Sequence, residues 1–145
     1  MTDEQYMQQA LVEAQKAFEK EEVPVGAVIV MNNRIIARAH NQVELLNDST
    51  AHAEILAITT AFNFLNSKYL PEATLYVTLE PCLMCSGALY WSKIGRIVYG
   101  AVDDRNGYRK CCGSNNPFHP KTVLQGGISE IECAKLMKDF FKARR

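Results

Sequence analysis

Two short segments hold residue types that together can do chemistry: His52-Ala53-Glu54, and Pro81-Cys82-Leu83-Met84-Cys85. One imidazole and two thiols form a His-Cys-Cys set. Zinc suits this mixture of borderline and soft donors, and three protein ligands leave the fourth corner of a tetrahedron open to water. Zinc lowers the pKa of such a water toward ~7. Glu54 lies two residues beyond His52. It could serve as a ligand, but the set does not need a carboxylate. Left unligated, it can take a proton from the water and hand it to a nitrogen of the substrate. That describes hydrolytic deamination at an amidine-like carbon of a nucleobase.

Blander readings compete. His52 alone could be a capping or core histidine. Cys82 and Cys85 alone could be a redox dithiol, which would leave His52-Ala53-Glu54 unexplained. A closed structural zinc site needs a fourth ligand, and Cys111, Cys112 and Cys133 are the available sulfurs. Otherwise Cys133 reads as a core residue and Cys111-Cys112 as loop cysteines.

The elements that must position these groups are legible as patterns. Residues 3–20 carry one apolar stripe at helical spacing. Residues 23–31 are rich in valine and read as a strand, with 34–39 as its hairpin partner across Asn32-Asn33. Gly26 inside that strand predicts a bulge or a close backbone approach. Residues 40–50 are polar and irregular. A second helix is expected over 51–66, a buried strand over 73–79, and a third helix from Pro81 to about Ser92. Both cysteines then sit in a first helical turn, where free N–H groups and the macrodipole favour thiolates. A strand at 96–100, a mostly loop segment over 101–120, a short strand at 122–125 and a last helix from Ser129 to about Lys142 follow. The order α-β-β-α-β-α-β-β-α argues for an α/β sheet covered on both faces, within a single domain over 1–145. Met84, Tyr90 and Trp91 fall on one side of the third helix, spaced for core or dimer packing or for base stacking.

The chain has 145 residues, 48% hydrophobic and 22% charged, which fits one folded domain and speaks against disorder. Its formal net charge is zero, which excludes a uniformly basic nucleic-acid binder. The charge is nevertheless divided: residues 1–92 sum to −6 and residues 93–145 to +6. A polyanion partner should therefore meet the second half. Lys135, Lys138, Lys142, Arg144 and Arg145 cluster in the last helix and tail, with Arg105, Arg109 and Lys110 earlier. They read either as a solvated face or as contacts to an RNA backbone. No apolar run is long enough to span a membrane, and the first residues lack the pattern of a signal peptide. A cytoplasmic protein is the default expectation, and five cysteines, an odd number, fit a disulfide framework poorly.

H-A-E followed by P-C-L-M-C resembles the zinc-dependent nucleoside and nucleobase deaminase superfamily, matching at His52, Glu54, Pro81, Cys82 and Cys85. VPVGAVIV at 23–30, TAHAEI at 50–55, ATLYVTLEPCLMCSGALY at 73–90, RIVYGAVD at 96–103 and the closing CAKLMKDFFKARR narrow it. They resemble the bacterial tRNA-specific adenosine deaminases. Only residues 104–121 are not clearly of that pattern.

The resemblance implies a three-layer α/β/α, cytidine-deaminase-like fold with a mixed five-stranded sheet. It implies conversion of adenosine to inosine at the wobble position of the tRNA anticodon, by a homodimer whose two subunits both meet the anticodon arm. Zinc would be held by His52, Cys82 and Cys85. Glu54 would shuttle protons to ring N1 and then to the leaving ammonia. Asn41, after the second strand, takes the place of the residue that binds the flipped base. Ala53 N–H and the backbone around Glu80 are candidate contacts to ring and amine, and His119 is an RNA-contact candidate. Glu80 itself reads as a supporting polar group or a helix-start acid, and Asp103 as a loop-ordering one. HNQVELLNDSTAHAE and Ala88-Leu89-Tyr90-Trp91 also resemble guanine deaminases. A free purine base or nucleoside therefore remains the alternative substrate, with cytosine less favoured. A zinc-stabilised RNA-binding or assembly module is the non-enzymatic alternative.

Overall fold

The computed structural model describes residues 1–144, so the Arg145 expectation lies outside them. Eleven elements follow in order: α1 Asp3–Glu19, β1 Gly26–Met31, β2 Arg34–His40, α2 Val43–Leu46, α3 Ala53–Leu65, β3 Thr74–Leu79, α4 Leu83–Ser92, β4 Arg96–Ala101, α5 Tyr108–Cys112, β5 Val123–Gln125 and α6 Glu130–Ala143. The five strands form one sheet in the order β2-β1-β3-β4-β5. β1 is antiparallel to β2 and β3, while β3-β4 and β4-β5 are parallel, which makes the sheet mixed.

Strand periodicity sorts the core into two layers. Side chains alternate across a sheet. Ala27, Ile29, Leu75, Val77, Ile97 and Tyr99 therefore share one face, packed with Ala57, Ala61 and Leu89 of α3 and α4. Val28, Val30, Tyr76 and Val98 face the other way, toward Tyr6, Met7 and Ala10 of α1 and Cys133 of α6. Small residues on α1 let it lie close to the sheet. A side chain on Gly26 would run into the α1 backbone at Ala10 and Ala14. Close approach is thus the reason for this glycine; the register shift in β1 falls at Ile29/Val30 instead.

Several boundaries differ from the sequence reading. β1 starts at Gly26 rather than residue 23, and α3 starts at Ala53 rather than 51. α4 begins at Leu83, because Cys82 rather than a residue inside the helix is its N-cap, and Pro81 stays outside. The irregular stretch 40–50 contains α2, and the expected loop 101–120 contains α5. Neither short helix shows apolar periodicity: α2 buries no residue and α5 only Tyr108. On α4, Tyr90 and Trp91 are exposed and Met84 stands at the edge of exposure, so none of the three is core in this chain.

Candidate metal centre and its cavity

β3 ends at Leu79, and Glu80-Pro81 lead into the start of α4. Extended backbone at Cys82 aims its Sγ back at the helix, where it accepts the Cys85 N–H at 3.5 Å. His52 caps α3 with similarly extended backbone, but its side chain makes no capping bond and is free for other work. Its Nδ1 stands 3.6 Å from Cys82 Sγ and 3.6 Å from Cys85 Sγ. Ligands of these types around a tetrahedral zinc stand roughly 3.5 Å apart. The spacing and the donor set therefore both fit zinc. Among the described residues this is the one cluster of three such groups. Cys133 belongs to the core on the opposite face of the sheet, and Cys111 and Cys112 sit on α5 away from the cluster. The described residues thus supply three ligands and leave the fourth corner open.

The electrostatics are those of a thiolate site. The bond from the Cys85 thiol holds Cys82 down to about 4, helped by His52 and the Cys85 amide and opposed by burial. The same bond, with burial, pushes Cys85 up. Contact with Cys82 raises His52. Glu54, in the first turn of α3, is buried, and that burial pushes its carboxyl up to about 7, with the negative charge on Cys82 acting in the same direction. An acid poised there can both accept and release a proton near neutral pH.

These groups open into a cavity of about 1290 Å³. Asn41, Ala53 and Glu54 line it beside His52 and Cys82. Asn41 is buried and its Oδ1 has no partner, an arrangement that costs free energy unless something else fills the bond. Ala53, as the first residue of α3, has no intrahelical acceptor for its N–H.

Glu80 also lines the cavity, yet its carboxylate is committed to the protein. Oε1 accepts from the Asp103 N–H at 3.0 Å and Arg109 Nη2 at 3.1 Å; Oε2 accepts the Arg109 N–H at 3.1 Å. A side chain at Gly107 would strike this carboxylate. Asp103 orders the same loop, its Oδ1 accepting the N–H groups of Arg105 and Asn106. Glu80 therefore braces the wall formed by Asp103, Arg105 and Asn106.

The basic candidates separate. Arg105, Lys138, Lys142 and Arg144 line the cavity. Arg109 is paired to Glu80, Lys110 lies on α5 outside the lining, and Lys135 pairs with Asp139 at 2.6 Å. His119 is away from the cavity, with its ring 6.2 Å from that of Tyr90. Met137, Phe140 and Phe141 of α6 also line the cavity, and sequence reading did not single them out as site residues. It also missed Ser49 and Asn106, which carry no motif and reach the wall only through the loops that hold them.

Helix ends that deliver two sulfurs and an imidazole to one point, with a buried acid beside them, place the chain in the class of zinc-dependent deaminases. The family model for MafB19-like deaminases matches residues 1–145. A tRNA-specific adenosine deaminase of Aquifex aeolicus is 55% identical over 147 residues, covering 100% of this chain and 97% of its own length. A solved structure from work on A-to-I editing by tRNA:A34 deaminases at the wobble position superposes with a TM-score of 0.85, at 44% identity over 91% of this chain and 98% of the other. The guanine deaminase of Bacillus subtilis is more distant, with a TM-score of 0.69 and 35% identity over 80% of this chain and 73% of that one. A chloroplastic tRNA(adenine(34)) deaminase of Arabidopsis thaliana is 44% identical over 98% of the chain, which spans only 12% of that longer protein. The chain belongs to the tRNA-specific adenosine deaminases.

Proposed function

We propose that this protein hydrolytically deaminates adenosine to inosine at the wobble position of a tRNA anticodon. The observation that carries the reading is the placement of Glu54 beside the His52-Cys82-Cys85 cluster, in a cavity whose α6 wall is basic. His52, Cys82 and Cys85 would hold zinc, which would supply a water of lowered pKa. Glu54 accepts one proton from the attacking water and delivers it to ring N1; as the C–N bond breaks it takes the second proton, from the new C6 hydroxyl, and passes it to the departing ammonia. Its burial keeps it near the pKa that such a two-way transfer needs. Asn41 and Ala53, which both line the cavity, hold the base edge, one through its unpartnered Oδ1 and the other through its N–H. Glu80 acts on the substrate only through the loop it braces. Arg105, Lys142 and Arg144 take phosphates. Arg109 and Lys110 border that surface, and His119 contacts RNA only from outside the cavity.

The same reading includes a homodimer in the cytoplasm. The outer face of α4 presents Leu83, Met84, Tyr90 and Trp91, the last 73% exposed, around Gly87, which leaves open space. Apolar surface of this kind suits a second copy. No described helix is long and apolar enough to cross a membrane.

Guanine is the second substrate reading, favoured by the likeness to the Bacillus subtilis guanine deaminase. Parallel assays on a tRNA anticodon arm, guanine, cytosine and adenosine separate the two. Inosine in the RNA is the expected product; guanine turnover without inosine reverses the order.

A further inference from the structure

A buried carboxylate outside the proton-transfer chemistry holds one wall of the cavity. Glu22 is 2% exposed, and its two oxygens accept backbone N–H groups of the 43–46 segment: Oε1 from Glu44 at 2.9 Å and Oε2 from Leu45 at 2.8 Å. That segment has little else to fix it. None of Val43–Leu46 is buried, Leu45 and Leu46 point to solvent, and Gln42 offers no side-chain cap. Its remaining bonds run from the Gln42 N–H to Ala51 O and among residues 42–48. Yet its ends carry the cavity wall. Asn41 precedes it, Val43 and Glu44 belong to it, and Ser49 follows, all lining the same space as His52.

The end of α1 leads the chain into Glu22 by a Schellman turn. α1 ends, and Glu21 takes a left-handed conformation at φ 62° although it is not glycine. A left-handed residue just after the C-cap is how many helices end. The turn lets the Glu22 N–H reach back to Ala17 O at 2.9 Å and sends the side chain across to residues 44 and 45.

We infer that Glu22 is a positioning residue, a clasp that fixes residues 42–50 and through them presents Asn41 to the base. The inference rests on the reading of the cavity as the site of adenosine deamination. Binding of the anticodon arm should depend on the clasp more than the proton transfers do, because Glu54 and the sulfurs sit on other elements.

The test compares Glu22→Ala, Glu22→Gln and Glu21→Gln in the zinc-loaded protein. Amide exchange at Glu44 and Leu45 is followed by NMR, and inosine formation is measured over a range of anticodon-arm concentrations. Glu22→Ala should speed exchange at both amides and lower kcat/KM about tenfold, mainly through KM, as expected for losing charge-assisted bonds. Glu22→Gln keeps one acceptor and should fall between Ala and wild type; it serves alone if the Ala variant does not fold. Glu21→Gln removes a rim charge without touching the clasp and should exchange like wild type. Unchanged exchange in the Glu22 variants, a loss confined to kcat, or equal effects from Glu21→Gln would each overturn the inference. Exchange is read without substrate. Failure of the clasp is therefore distinguishable from failure of the wild-type protein to edit RNA, which would overturn the functional reading instead.

Discussion

At the scale of single residues, Glu54 sits beside the metal ligands without being needed as one. Geometry already provides three donors at tetrahedral spacing, and burial leaves the carboxyl near neutrality, at about 7. Glu54→Gln keeps size and shape but cannot carry a proton. The expected result is a full complement of zinc by elemental analysis, with inosine formation down by a factor on the order of 10² to 10⁴. Zinc loss in that variant would make Glu54 a ligand. The gathering of His52, Cys82 and Cys85, with Glu54 close by, was readable because each motif is local and chemically unusual. Glu22 and Glu80 were not readable in that way. The partners that define them lie at Glu44 and Leu45 in one case and at Asp103 and Arg109 in the other, and no local pattern announces such pairings.

At the scale of elements, long periodic segments declared themselves and short ones did not. α1, α3 and the valine-rich strands bury a regular face, so apolar spacing reveals them. α2 and α5 are held by backbone and side-chain polar bonds, which leave no such spacing. The same logic hides the tie between α1 and the sheet. Arg96 of β4 bonds both oxygens of Asp3, at 2.8 and 2.7 Å, and Tyr76 of β3 donates to Asp3 Oδ1 at 2.6 Å. The Arg96 bonds, reinforced by Tyr76, hold Asp3 down to about 2, against an ordinary value of 3.8. Because the folded value is the lower one, this stabilisation is present above pH 3.8 and fades as pH falls through about 2. Denaturant titrations between pH 4.5 and 2 should show wild type losing stability faster than Asp3→Asn. Parallel curves would mean that the tie contributes nothing through ionisation.

At the scale of the whole molecule, the zero net charge conceals a division along the chain that folding brings together around one cavity. Glu21, Glu22 and Glu44 line this cavity together with Arg105, Lys138, Lys142 and Arg144. The carboxylates of Glu21 and Glu44 repel phosphate. An RNA strand should therefore run with its backbone along α6 and its bases toward Asn41. Contacts of this type release counterions, so affinity for the anticodon arm must fall as salt rises. Each neutralised phosphate contact should reduce the slope of log affinity against log salt by about 0.7 to 1. Lys142→Gln with Arg144→Gln should flatten it by roughly 1.5 to 2. Lys135→Gln should change it less, since Lys135 is already paired with Asp139 and lies outside the cavity. Fluorescence anisotropy with a labelled anticodon arm, between low and physiological salt, measures all three slopes. A flat wild-type response would remove the phosphate wall, and equal slopes for the two variants would assign the basic excess to solvated surface.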